Sequence, residues 1–229
     1  MNLPLPRRPS GRRTRPDCPG HQKRDGGADR DPEHAAYMSW VTATVGEHGW
    51  AISGRHGDEE APPWAYSVGM WVSYQAPELV MCGLPVDNAA AVINAVGARM
   101  ADGVRFGADD VLDAGGLSDA LAPLHRESLR EMAGAVPSGS RLLAGGPPAA
   151  LALRPVDLSW RATDGLLGIS NAFYGLVRPS YLQIVWSDGN GTFPWERGFQ
   201  PAFDRMQPLL WLPRDDNPPS PWTRLDRLA

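Results

Sequence analysis

Trp64-Ala-Tyr-Ser-Val-Gly-Met-Trp-Val72 and, a few residues on, Pro77-Glu-Leu-Val-Met-Cys-Gly83 are the stretches on which the fold turns. The first combines β-branched and aromatic residues. It reads as a strand running through Val72 and punctuated at Gly69, where backbone or ligand can approach closely. The second is a continuous apolar run behind its opening Pro-Glu, the mark of a central strand buried on both faces. Upstream, Tyr37, Trp40, Val41 and Val45 recur at helical spacing, which predicts a helix over 35–47. Trp50-Ala-Ile-Ser53 follows as a first strand, and a charged loop spans Gly54 to Pro63.

Downstream, Asp87 is a candidate cap for a helix carrying Ala90, Ile93, Asn94, Val96, Gly97 and Met100 and closing at Gly103. A further helix is expected over 117–136, on the stripe Leu121, Leu124, Leu129 and Met132, with a Gly/Pro-rich connector from Ser138 to Pro148. Leu151 to Val156 reads as a strand pushed towards an edge by Pro155. Residues 164–176 read as a helix. Tyr181-Leu-Gln-Ile-Val-Trp186 is a strand ending in the Asp188-Gly-Asn-Gly191 turn. Strands and helices mix without a βαβ rhythm. The expectation is therefore a single α+β domain: one mostly antiparallel sheet packed by three or four helices, a layout also compatible with a small, partly open barrel.

The chain has 229 residues and a net charge of −4, unevenly distributed. Residues 1–24 hold seven Arg or Lys against one acid, leaving 15 basic and 25 acidic residues beyond them. An acidic body argues against nucleic acid as the partner of the fold, since phosphate binding needs a cationic face. The expected organisation is a disordered basic arm over 1–34, the domain over 35–212 and a Pro-rich C-terminal tail over 213–229, with Trp211 and Trp222 flanking its proline run and able to dock. Met38, just ahead of the first periodic segment, is an alternative start. No apolar run approaches the ~20 residues of a membrane span, and no apolar stretch of signal-peptide length follows the basic residues. The expected compartment is the cytoplasm, where Cys18 and Cys82 stay reduced.

Few chemistry-bearing motifs survive inspection. No phosphate loop or dinucleotide fingerprint is present, and no cofactor is indicated. Asp188-Gly-Asn-Gly-Thr192 opens like a calcium loop, but Phe193 and Phe199 occupy the positions that need Gly and Glu. Ala65-Tyr-Ser-Val-Gly69 resembles a nucleophile elbow, which requires a strand turning into a helix at the serine. With Met70-Trp71-Val72 read as continuing strand, Ser67 is a strand residue. The histidines lack metal-ligand spacing, so no metal site is expected. Nine of the 19 aromatic residues are Trp, either core bulk for a small sheet or the walls of a site.

Several ordered blocks resemble a bacterial domain family of unknown function, domain of unknown function 4262. They are His48-Gly-Trp50, Ala65-Tyr-Ser-Val-Gly69, Pro77-Glu-Leu-Val80, Gly83-Leu-Pro85, Gln183-Ile-Val-Trp186 and Phe193-Pro-Trp-Glu196. The likeness runs from about residue 45 to about 200 and implies a domain boundary and candidate positions, but no activity. In that family the Ser67 position more usually carries threonine, which suits a strand hydroxyl better than a committed nucleophile.

The polar members of these blocks define a candidate site. His48 is the natural acid or base near neutral pH, and Glu196 is the carboxylate that would pair with it. Trp50, Tyr66, Ser67, Gln183, Trp186 and Trp195 would line the hollow. The reading that follows is a small-ligand pocket protein, acting as an acid–base enzyme if His48 and Glu196 converge. One alternative is a non-catalytic interaction or immunity-type module that docks a protein partner through exposed Trp residues. A further alternative is a flavin-binding small barrel.

Overall fold

The computed structural model describes residues 32–58, 61–113, 150–161, 164–203 and 205–227. Six strands form one sheet: Ala51–Arg55 (β1), Trp64–Val68 (β2), Glu78–Cys82 (β3), Val111–Asp113 (β4), Ala150–Pro155 (β5) and Tyr181–Trp186 (β6). Their order is β1-β2-β3-β6-β5-β4, antiparallel throughout except for the central β3–β6 pair. Two antiparallel halves thus meet at one parallel seam, and the α+β class with a mostly antiparallel sheet holds. The sheet is open, with β1 and β4 as its edges, and does not close into a barrel.

Five α-helices appear among the described residues: Pro32–His48 (α1), Met70–Tyr74 (α2), Val86–Ala101 (α3), Leu158–Arg161 (α4) and Asp164–Tyr174 (α5). Strand alternation splits the core between two faces. On one, α3 lays Ala89, Ala90, Ile93 and Val96 against Ile52, Ala65, Leu79 and Met81, while Phe199 and Phe203 close over Trp186. On the other, α1, α4 and α5 cover Tyr66, Val80 and Cys82. Strand β3 is buried along its whole length, as its apolar run predicts.

The expected second strand is corrected at Gly69. The chain leaves β2 there with φ +118, a conformation that favours glycine, and Met70–Tyr74 coils as α2 despite its β-prone Trp, Val and Tyr. A Cβ at residue 69 would sit 2.8 Å from both the Gly49 carbonyl oxygen and the Val45 side chain, so close packing also demands glycine. The helix stops at Gln75, itself left-handed, ahead of Ala76-Pro77.

Asp87 is likewise not the cap of α3. Pro85 precedes the first turn, and Asp87 lies inside it, where a carboxylate favours the positive end of the helix dipole. Strand β5 is an inner strand rather than an edge. β4 pairs only with its first three residues, so the missing N–H of Pro155 falls beyond that ladder.

The expected helix over 117–136, the connector over 138–148 and all of the basic arm but residues 32–34 lie outside the described residues. Residues 32–34 begin α1. Met38 lies within α1, directly after Tyr37, which is buried with its hydroxyl donating to Ser53 Oγ at 3.2 Å. A chain starting at Met38 would lack that contact. The segment after Pro213 folds back onto the sheet through two 3₁₀ turns, Arg214–Asp216 and Trp222–Arg227, burying Trp222 and Leu225 against the α5 face. Among the described residues no helix is long and apolar enough to cross a membrane.

Candidate functional site

His48 ends α1, one turn before β1. Its side chain is 29% exposed, and its acidic neighbour is Glu47, with Nε2 3.5 Å from Oε2. β1 starts opposite Val68, the end of β2 that also lies beside the start of β3. Glu196 lies after β6. It follows Phe193, which packs on Val185 near the finish of that strand, and it is exposed, with Oε2 accepting the Phe193 N–H at 2.8 Å. The two groups flank β1 and β6, three strands apart by sheet order, and each makes a local contact. The expected acid–base pair is not brought together.

The lining residues are equally dispersed. Trp50 and Trp186 lie on the α3 face, with indole N–H groups donating to Asn94 Oδ1 at 2.9 Å and to the Cys82 carbonyl at 2.8 Å. Tyr66 faces α5 and accepts the Ile169 N–H at 3.3 Å. The Gln183 amide donates to the Pro208 carbonyl and accepts from the Leu210 N–H, so it pins the returning chain rather than a ligand. Among the described residues no cluster of three His, Cys, Asp or Glu could hold a metal ion.

Ser67 sits in an unforeseen constellation. The strand–turn–helix that the elbow motif requires is present at Gly69, against the sequence expectation. The hydroxyl is nevertheless no exposed nucleophile: it is fully buried, accepts the Leu79 N–H at 2.8 Å and donates to Glu78 Oε2 at 2.5 Å. The other Glu78 oxygen accepts from the Gly69 N–H at 3.0 Å, the Trp71 N–H at 3.1 Å and the Tyr174 hydroxyl. One carboxyl thus ties the end of β2, the start of α2 and the end of α5 to the central strand. The Ala65–Gly69 and Pro77–Val80 blocks therefore meet through their polar members.

Burial raises the pKa of Glu78 above the ordinary carboxylate range, against the bonds from Ser67, Tyr174, Trp71 and Gly69, which pull it down. Burial also pushes the hydroxyls of Tyr174 and Tyr181 upward, with the Glu78 charge adding to the effect, so both remain neutral. Sequence reasoning missed Glu78. Its signal was a single acid opening an otherwise apolar strand.

A second cluster gathers on β5 and the segment after β6. Trp195, 38% exposed, stacks on Phe193 with ring centroids 4.7 Å apart and planes within 4°. The Arg154 guanidinium lies over the Trp195 ring at 4.1 Å, and Trp211 meets Trp195 edge-on at 5.3 Å. Arg154 pairs with Asp109, while its Nε is buried without a hydrogen-bond partner. Of the nine Trp, five are buried, Trp40, Trp71 and Trp211 are half-buried, and Trp195 alone is exposed.

No curated protein and no solved structure matches this chain. A family model, described as a domain of unknown function, matches residues 44–200. That span takes in both the Glu78 cluster and the Arg154–Trp195 stack, and covering more than half of the chain it establishes that the protein belongs to the DUF4262 family.

Proposed function

We propose that this domain is a non-catalytic recognition module that docks a protein partner on the face built from Arg154, Trp195 and Trp211. The observation that carries the reading is the exposed Trp195, held on Phe193 and under a guanidinium rather than buried for bulk. Trp and Arg are the residues most enriched at binding hot spots, and a pre-ordered stack loses little rotamer entropy on docking. The separation of His48 from Glu196 favours this reading over an acid–base enzyme using that pair.

A photo-crosslinking residue at Arg197, exposed beside the stack, tests it in cells of the native host. The expected result is one specific crosslinked protein, lost in Trp195→Ala and in Arg154→Ala while the purified variants keep their fold. Crosslinking that is indifferent to both substitutions overturns the reading.

A further inference from the structure

Glu78 is a fully buried carboxyl with no cation bonded to it among the described residues, and it bonds the β2–Gly69–α2 corner and the end of α5 from the central strand. We propose that it is a proton-operated clasp: carrying its proton, it fastens the Gly69 turn and the end of α5 to the central strand, and losing the proton loosens both.

The groups around the carboxyl support one direction of action. β2 supplies Ser67, the start of α2 supplies the Trp71 N–H, α5 supplies Tyr174, and β6 supplies Tyr181, whose hydroxyl bonds Ser170. From α1, Val45 packs against Gly69, with the Gly49 carbonyl beside it; His48 one residue earlier pairs with Glu47. Arg161 and Arg178 are close enough to act on the Tyr181 hydroxyl. In the neutral acid the Oε2–Ser67 Oγ bond is kept with its direction reversed, at the cost of the bond the serine itself donates, while Oε1 keeps its three donors. The ionised form leaves a charge among Val80, Tyr66 and the α5 side chains with no counter-charge bonded to it, and that charge is relieved by admitting water.

Water reaches the carboxyl most directly where the clasp meets the surface. Tyr174 is followed by Gly175, Leu176 and Val177, all exposed, and α2 exposes Val72. Opening therefore displaces short surface elements and leaves the paired strands intact.

The sign follows from proton linkage. Burial raises the folded-state pKa above the unfolded one, so the folded protein holds more protons in the interval between them. The Glu78 contribution to stability is complete below the ordinary glutamate range and is lost as pH climbs through the raised folded value. Glu78→Gln, which mimics the neutral acid, removes this dependence.

The test compares urea unfolding of the full chain and Glu78→Gln across acid to mildly alkaline pH. The folding constant of the wild type is expected to fall relative to the variant, by up to about tenfold per pH unit within the interval. Parallel curves overturn the proposal. Should Glu78→Gln fail to fold, a ¹³C carboxyl titration of wild-type Glu78 decides, and a midpoint at or below the ordinary range of ~4.3 overturns it. Amide exchange gives the local readout. Protection of Gly69 and Trp71, corrected for intrinsic base catalysis, is expected to fall with pH in the wild type, and unchanged protection again overturns the clasp.

Discussion

The two polar clusters lie on one sheet, one at the start of β3 and the other two strands across on β5, and are built on opposite rules. Around Glu78, every polar atom is buried and every donor has an acceptor, so the residues there act on one another and on the backbone. Around Trp195, the rings are ordered but exposed, and the Arg154 guanidinium retains an unpartnered Nε. Only the second offers its order to something outside the chain, which is why recognition is assigned there and conformational control to the first.

The sharpest way to break this contrast is Glu78→Ala. It takes the acceptor from the Trp71 N–H and from the Ser67 and Tyr174 hydroxyls, leaves the Gly69 N–H on the Tyr174 oxygen alone, and should cost about 3–5 kcal/mol of stability in urea unfolding. Gly69→Ala attacks the same end through the backbone, forcing a Cβ at φ +118 into Val45 and the Gly49 carbonyl; a loss of about 2–3 kcal/mol is expected by the same measurement. Ser67→Ala removes one hydroxyl from the clasp and should cost about 1–2 kcal/mol. An active-site serine probe should leave the wild type unlabelled, and stoichiometric labelling at Ser67 would reinstate a nucleophile.

At the Arg154–Trp195 stack, Trp195→Ala should change stability by less than about 1 kcal/mol while abolishing the specific crosslink at position 197. The smallest effect concerns the dismissed pair. His48→Ala and Glu196→Ala should be additive in a double-mutant cycle to within about 0.5 kcal/mol, because the two groups share no partner. A larger coupling would mean that they meet after all.

How much of this was legible in the sequence depended on whether local pattern and tertiary demand agreed. The bounds of β6 could be read directly, because Tyr181–Trp186 is an uninterrupted β-prone run closed by Asp188-Gly. The centrality of β3 followed from its lack of alternation. α2 could not be read, since Met70-Trp-Val-Ser-Tyr74 has the composition of a strand. Its helical state depends on the bend at Gly69 and on the Glu78 side chain, whose Oε1 meets its first turn. The site failed for a related reason. His48 and Glu196 had suitable chemistry and sat in the first and last of the family blocks, but sequence carries no measure of which strands a loop flanks. Gln183 looked like a ligand group because the chain that occupies its amide, Pro208–Leu210, carries no polar side chain to announce it.

The lone parallel seam has a consequence for how the molecule is made. Glu78 is paired in register with Tyr181, 103 positions later, whereas β1, β2, β3 and α3 are complete by residue 101. A growing chain therefore carries half a sheet whose inner edge is open, with unsatisfied peptide groups along β3, until the last strand is translated. During that interval the carboxyl destined for the interior has no tyrosine beside it and remains in water. Closing the seam is the step that dehydrates it, so the rate of productive folding should be set by how quickly β6 finds β3, and aggregation should compete at that same edge.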